Sequence, residues 1–227
     1  MKKIAVALAV LTLAAPAMAA DMATMVVTGR AEVAAAPDMA TIRVGVVTHD
    51  VAAARALEQN SAQLERVLSV LSRAGVASGD MQTSRFQIDP IWTNRSYDSQ
   101  DPARIEGYEV SNALSVQVMD LDSLGGVLDA VARAGANDFN GIEFGLEDPS
   151  PVQDEARRAA VADAMARAEL YAEAAGVEIR RVVGISEGGT SSPVMRADTM
   201  AMPVMNVPVA QGTVSVSAQV TITYEIE

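Results

Sequence analysis

The sequence predicts an α+β fold with a largely antiparallel sheet and three helices. Paired β-rich segments separated by turn residues indicate hairpins. Helical segments stand between these pairs, whereas a doubly wound parallel sheet would alternate single strands with single helices. The predicted order is two strands, a helix, two strands, a helix, a strand, a long helix and two strands.

The first two strands are predicted at residues 25–33 and 39–46, with a turn formed by the alanines, proline and aspartate between them. We therefore expect these strands to form a hairpin. Asp50 is then expected to cap a helix that Gly75 ends. The apolar face of this helix is marked by leucines at helical spacing, namely Leu57, Leu64, Leu68 and Leu71.

A second hairpin is predicted at residues 81–92 and 107–119. The second of these strands alternates apolar and polar residues with a period of two, which is typical of a strand with one buried face. The segment between them, 93–105, is rich in Asn, Ser and Asp. We expect it to form a long exposed hairpin tip, because these residues favour turns.

A short helix and a strand are predicted next. Asp120 or Asp122 is expected to cap this helix and Gly135 to close it. Its apolar positions are Leu121, Leu124, Leu128 and Val131. A strand is expected at residues 139–146.

The long helix carries the strongest start and stop signals in the chain. Ser150 as N-cap, Pro151 at the first helical position and Gln153 at the third predict a capping box. Gly176 is expected to end the helix. Its small side chains should allow close approach to another surface, namely Ala156, Ala159, Ala160, Ala164 and Ala168.

The last two strands are predicted at residues 179–186 and 214–226, with a long loop at 188–211 between them. The final strand alternates strictly between apolar and polar residues. One backbone edge of such a strand must be paired, covered or used. If the strand lies at the edge of its sheet, this edge is a candidate route to self-association.

The N-terminus has the layout of a secretory signal peptide. Two lysines precede an uncharged apolar run, and Ala17-Met18-Ala19 forms a cleavage-like triplet. We expect residues 1–19 to be removed, leaving residues 20–227 as one domain outside the cytoplasm. No later segment is long and apolar enough to predict a transmembrane helix in the mature chain.

Composition excludes several function classes. The chain has no cysteine and one histidine, which excludes disulfides, thiolate zinc sites, cysteine nucleophiles and multi-histidine metal centres within one chain. The net charge of −12 would repel phosphate backbones, so nucleic acid is not expected as a partner. No cofactor is predicted.

Several segments together resemble one family. The opening residues 27–33 and 37–40 are followed by Asn60 in the leucine-rich helix and by Gly75-Val76. The resemblance continues through 81–90, 107–112, 141–144, the helix 156–176 and the terminal strand 216–226. The chain resembles the SIMPL-domain family of YggE-like periplasmic proteins over nearly all of residues 25–227.

This resemblance implies an exported α+β domain, a tendency to form rings or larger homo-oligomers, and an association with oxidative-stress defence. It implies no established reaction and no catalytic residues. Two departures concern turn geometry: Gly29-Arg30-Ala31 stands where the family usually has Gly-x-Gly, and residues 210–212 lack a common Pro-Gly.

Two groups of titratable residues could suggest an enzyme. His49 and Asp50 could act as base and orienter for Ser61, but adjacent strand residues point to opposite faces. Glu143 and Glu147 share a face of a strand-like segment but lie about 13 Å apart, too far for paired glycosidic catalysis. We therefore assign no catalytic residue.

A cluster of four methionines is the most unusual feature, comprising Met195, Met200, Met202 and Met205. Thioethers are soft ligands, so this loop could hold Cu(I), or it could absorb oxidant reversibly as sulfoxide. Methionine packing at an irregular surface or subunit contact is the competing interpretation. Met119 and Met165, by contrast, are expected to face a core.

Together with the absence of a catalytic constellation, the resemblance implies an exported, non-enzymatic, self-assembling protein that supports envelope or oxidative-stress defence. Homo-oligomers and envelope proteins are the predicted partners. Two alternatives stay open: the methionine-rich loop as an oxidant or copper sink in the periplasm, and an uncharacterised enzyme.

Overall fold

The computed structural model describes residues 22–93, 102–188, 194–196 and 209–227. The three helices in these ranges are α1 (Ala53–Arg73), α2 (Leu124–Ala134) and α3 (Ser150–Ala175). The eight strands in these ranges are β1 (Thr24–Ala35), β2 (Met39–Asp50), β3 (Met81–Trp92), β4 (Ile105–Val118), β5 (Asp138–Gly145), β6 (Ile179–Glu187), β7 (Val194–Arg196) and β8 (Thr213–Ile226). The α+β class with antiparallel pairing is confirmed.

The strands form two sheets where the sequence suggested one. The terminal sheet has the order β1-β8-β6, with the short β7 also paired to β8. The central sheet has the order β3-β4-β2-β5. All pairs are antiparallel, and the predicted β3–β4 hairpin is confirmed. Residues 94–101 of its tip lie outside the described residues.

The predicted β1–β2 hairpin is wrong. β1 pairs with β8 along its whole length, and β2 pairs with β4 and β5. The turn between β1 and β2 is tied to the end of β5: the N–H of Asp38 donates to the carbonyl of Gly145, and its carboxylate accepts the N–H of Glu147. These bonds fix the turn at which the chain passes from the terminal sheet to the central sheet.

The terminal strand does not lie at the edge of its sheet. β8 is central in its sheet, because β1 covers one edge and β6 and β7 cover the other. β7 lies in a segment predicted as loop. It pairs three residues, with Met195 opposite Val214. The predicted route to self-association through this edge is therefore closed.

Each sheet buries one face against helices. The central sheet packs on α1 and α2 through a core that includes Ile42, Leu71, Leu114 and Val131. The predicted leucine face of α1 is buried at Leu64 and Leu71 and half-buried at Leu57 and Leu68. The terminal sheet packs on α3.

The alanine face of α3 lies directly on β1. A Cβ added at Gly29 would overlap the backbone oxygen of Ala160 and lie 2.7 Å from the Cβ of Ala164. The five buried alanines recur every fourth residue: Ala156, Ala160, Ala164, Ala168 and Ala172. The predicted close approach is confirmed, except that Ala159 is exposed. Glycine on the strand and alanine on the helix together allow this distance.

The predicted helix starts need correction. Asp50 is the last residue of β2, and its carboxylate accepts the N–H of Ala52 before α1 begins. Ser150 is already helical in α3 and follows Pro149, so the predicted capping box does not form. Asp148 instead accepts the N–H of Ser150.

The same correction applies to α2. The carboxylate of Asp120 accepts the N–H of Asp122 in the turn before α2, so neither aspartate caps the helix itself. The predicted glycine stops are confirmed. Gly135 and Gly176 follow their helices with φ of 115° and 67°, and Gly75 follows the last residues of α1 with φ of 90°. These left-handed values favour glycine because it lacks a Cβ.

Candidate interaction surface

His49 and Asp50, weighed from the sequence as a base and its orienter, have separate surroundings. The Nε2 of His49 lies 2.7 Å from a carboxylate oxygen of Glu109 on the exposed face of the central sheet. Asp50 points to the other face, where Arg55 and Gln59 contact its carboxylate. The N–H of Ala52 lowers the pKa of Asp50, and Arg55 acts in the same direction. The result is a surface contact between His49 and Glu109 and a turn at the end of β2.

Glu143 and Glu147 also have separate surroundings. Glu143 lies on β5 and forms an ion pair with Arg43 at 3.4 Å. Glu147 lies beyond the end of β5, so the two glutamates do not share a strand face as predicted. This placement adds nothing in favour of glycosidic catalysis.

The methionine cluster falls largely outside the described residues. Met200, Met202 and Met205 lie outside them, and Met195 is placed only as a backbone position on β7. The expectation that Met119 and Met165 face a core is wrong, because they are 40% and 50% exposed. Met165 follows the buried Ala164 on α3 and turns away from the sheet.

The described residues contain no group of three His, Asp or Glu side chains arranged to hold a metal ion. None of their helices combines the length and apolar character needed to cross a membrane. A cavity of about 510 Å³ opens between β2, α2 and β5. Its lining is mainly apolar, with Asp129 as the charged residue. It therefore has room for a small apolar group but few side chains that could bind a polar ligand or take part in a reaction.

Asn60, one of the residues on which the family resemblance rests, clamps α1 onto the central sheet. It is fully buried, and its Nδ2 donates to the carbonyl oxygens of Val46 at 2.8 Å and Val110 at 2.9 Å. These carbonyls belong to neighbouring strands β2 and β4. Asn60 therefore acts as a structural residue, and the geometry explains why an amide is needed in an apolar helix face.

One apolar surface that the described residues leave uncovered lies on edge strands. Phe86 and Ile88 on β3 are 55% and 39% exposed, and Ile185 on β6 is 66% exposed. Both strands stand at the end of their sheets. Exposed apolar groups beside unpaired strand edges are typical of protein contacts. The sequence displays the alternation of β3 but does not reveal that β3 is an edge.

The edge strands differ in how well they are protected. The carboxylate of Asp163 on α3 accepts a hydrogen bond from the N–H of Arg30. This bond occupies part of the outer edge of β1. The register of β6 shifts twice against β8, and that of β5 shifts once against β2. The register of β3 also shifts twice against β4, but it is continuous between the two shifts, from Arg85 to Ile91. Among the described residues, no strand pairs with the outer edge of this segment.

The family model SIMPL, described as "Protein of unknown function (DUF541)", matches residues 25–224. The chain belongs to the SIMPL family. The match covers both sheets and all three helices described above, and it confirms the family predicted from the motifs.

Individual relatives agree with this SIMPL assignment. The 26 kDa periplasmic immunogenic protein of Brucella melitensis is 34% identical over 221 residues, which cover 92% of this chain and 87% of the relative. The protein named "Uncharacterized protein YggE" in Escherichia coli is 30% identical over 149 residues, covering 65% of this chain and 58% of that protein. These SIMPL relatives carry no enzyme name.

Proposed function

We propose that this SIMPL protein is exported to the periplasm and works there by self-assembly without catalysing a reaction. The observation that carries the proposal is the exposed apolar row on the free edge of β3, formed by Phe86 and Ile88. A monomer would leave this row in water. A partner strand would cover it and pair the free backbone groups.

The periplasmic location is supported by two independent points. Residues 1–19 have the layout of a cleavable leader and lie outside the described residues. A relative that covers 92% of this chain is named a periplasmic protein. A role in envelope or oxidative-stress defence, with envelope proteins as further partners, is supported by the family resemblance.

Self-assembly is tested on the mature chain, residues 20–227, by light scattering and native mass spectrometry over a hundredfold range of concentration. We expect a discrete oligomer that dissociates on dilution. A monomer at every concentration would refute the proposal. Phe86→Ser combined with Ile88→Ser should shift the oligomer toward monomer, whereas serine at the exposed Leu170 on α3 is the matched control.

The methionine-rich segment supports a second candidate function as an oxidant or copper sink, because four thioethers lie within eleven residues. Metal analysis after incubation with Cu(I) distinguishes a copper site from an oxidant sink. Retention of copper that is lost when Met200, Met202 and Met205 are replaced by leucine supports a copper site. Sulfoxide formation without copper retention supports the oxidant sink.

A further inference from the structure

We propose that the free edge of β3 pairs antiparallel with β3 of a second copy of this chain, with Gln87 opposite Gln87. This inference rests on the proposed self-assembly and names its contact surface. Such a pair would join two central sheets into one continuous sheet of eight strands. It is isologous and therefore closes after two copies.

The direction of the backbone groups on β3 follows from hydrogen bonds elsewhere in the central sheet. Asn137 donates to the carbonyl of Val47 and accepts its N–H, so the backbone groups of Val47 point toward β5. In an antiparallel strand, consecutive residues direct these groups to opposite sides. The backbone groups of Val46 and Thr48 therefore point toward β4.

The same alternation can be followed across β4. Val110 is the partner of Thr48, so its N–H and C=O point toward β2, in agreement with the shared bond of Asn60 to Val46 and Val110. Ile88 is the β3 partner of Val110. Since the backbone groups of Val110 point toward β2, Ile88 forms no backbone hydrogen bond with β4. The N–H and C=O of Ile88 therefore point to the free edge.

Phe86 and Pro90 share the backbone direction of Ile88, because the β3–β4 register is continuous from Arg85 to Ile91. Proline is tolerated in a strand where its nitrogen faces away from the ladder, which agrees with this assignment for Pro90. The free edge thus offers both the N–H and the C=O of Phe86 and Ile88. In a pair centred on Gln87, Phe86 of one copy lies opposite Ile88 of the second copy, and the two exchange backbone hydrogen bonds.

The side chains of this segment are complementary to themselves. An antiparallel pair centred on Gln87 sets Phe86 against Ile88 of the second copy on the face that carries α1. On the other face it sets Arg85 against Asp89 of the second copy. Each contact occurs twice because of the two-fold symmetry. Apolar pairs and opposite charges directly across two strands are the combinations that stabilise a sheet.

Within one copy these charges are not balanced. Arg85 and Asp89 lie four residues apart on one strand, about 13 Å, so they cannot contact each other. Asp89 is instead the cross-strand partner of Glu109, a second acid whose carboxylate contacts His49. Arg85 is opposite Ala113 and has no ion-pair partner among the described residues. An arginine from a second copy would neutralise the acidic pair.

Cross-linking tests the register directly. The chain has no cysteine, so Gln87→Cys can form a disulfide only between copies. Gln87 would occupy a non-hydrogen-bonded pair, where the two Cα atoms lie about 4.5 Å apart and within disulfide range. We expect most of the protein to cross-link under mild oxidation. Gln117→Cys, on the same face of the inner strand β4, is the control and should stay largely uncross-linked.

Charge reversal tests the contact without cysteines. Arg85→Glu and Asp89→Arg each place like charges opposite each other twice, and each should weaken the pair about tenfold or more. Mixing these two single variants restores both opposite-charge contacts and should restore association as a hetero-pair. A folding defect would not be rescued by mixing. Arg158→Glu, an equal charge change on α3, should leave association unchanged.

The outcomes separate this inference from the proposed function. An oligomer that survives both reversals, with no cross-link at Gln87→Cys, would overturn the β3 contact and leave self-assembly standing. A wild-type chain that is monomeric at every concentration would overturn both. Cross-linking at Gln87→Cys together with rescue on mixing would establish the contact.

Discussion

The carboxylate of Asp163 on α3 accepts a hydrogen bond of 2.9 Å from the backbone N–H of Arg30 on β1. This single bond joins the helix to an edge strand and occupies a group that another chain could otherwise pair. The bond from Arg30 lowers the pKa of Asp163, and Arg167 on the next helical turn acts in the same direction. Asp163 thus both protects the edge of β1 and holds α3 against this strand.

Asp163→Ala should lower the melting temperature at neutral pH, because it removes the acceptor for the Arg30 N–H. A lowered pKa in the folded state gives stability that is present above the unfolded value and lost as pH falls through the folded value. The difference between wild type and variant should therefore shrink below about pH 4. Thermal unfolding from pH 7 to pH 2 measures it, with Glu155→Ala as the exposed control on the same helix.

Gly29→Ala should destabilise the fold by about 1–3 kcal/mol, the usual cost of forcing a methyl group into a packed contact. The added Cβ meets backbone atoms of α3 at Ala160, which cannot rotate away. Ala164→Gly should therefore fail to rescue it. Denaturant unfolding checks this, and Gly79→Ala, where a Cβ meets nothing within 4 Å, should have little effect.

Asn60→Ala should cost about 1–3 kcal/mol, because a buried donor to two strands is lost. The variant should loosen α1 from the central sheet without exposing the core around α3. Hydrogen exchange resolved by segment measures this difference. Asn140→Ala, at an exposed position on β5, is the matched control; equal losses in both variants would contradict the clamp.

The helices and most strands could be predicted because their signals are local. Periodicity and end glycines placed α1, α2 and α3, and strict alternation placed β4 and β8. The pairing could not be predicted in the same way. Whether β1 turns back onto β2 or joins β8 depends on distant contacts, such as the overlap-free fit of Gly29 on α3.

The candidate surface was missed for a related reason. The alternation of Arg85, Phe86, Gln87, Ile88 and Asp89 is visible in the sequence, but a buried strand and an edge strand can share it. Only the sheet order shows that β3 is an edge and that β8 is not. The clean pattern of the terminal strand shows that one of its faces is buried, here against α3, and carries no information about its edges.

The mature protein should begin at Ala20 or Asp21, because the small residues Ala17 and Ala19 precede a cleavage site after the apolar run. Intact mass of protein isolated from the envelope fraction decides this. Retention of residues 1–19 in that fraction would contradict export with cleavage. Ala19→Arg should block cleavage and retain the leader, since the site requires small residues.

Graded peroxide treatment should oxidise the methionines in the order of their exposure, because sulfoxide formation follows access. Met165 and Met119, both exposed, should react well before Met81, which packs against the core of the central sheet.

If the methionine-rich segment is a sink, Met200, Met202 and Met205 should react at least as fast as Met165 while the oligomer mass stays constant. If these methionines pack at a subunit contact, their conversion to polar sulfoxides should dissociate the oligomer. Peptide mass spectrometry, followed in parallel with native mass, distinguishes these two results; reaction of Met81 as fast as Met165 would instead show that the core had opened.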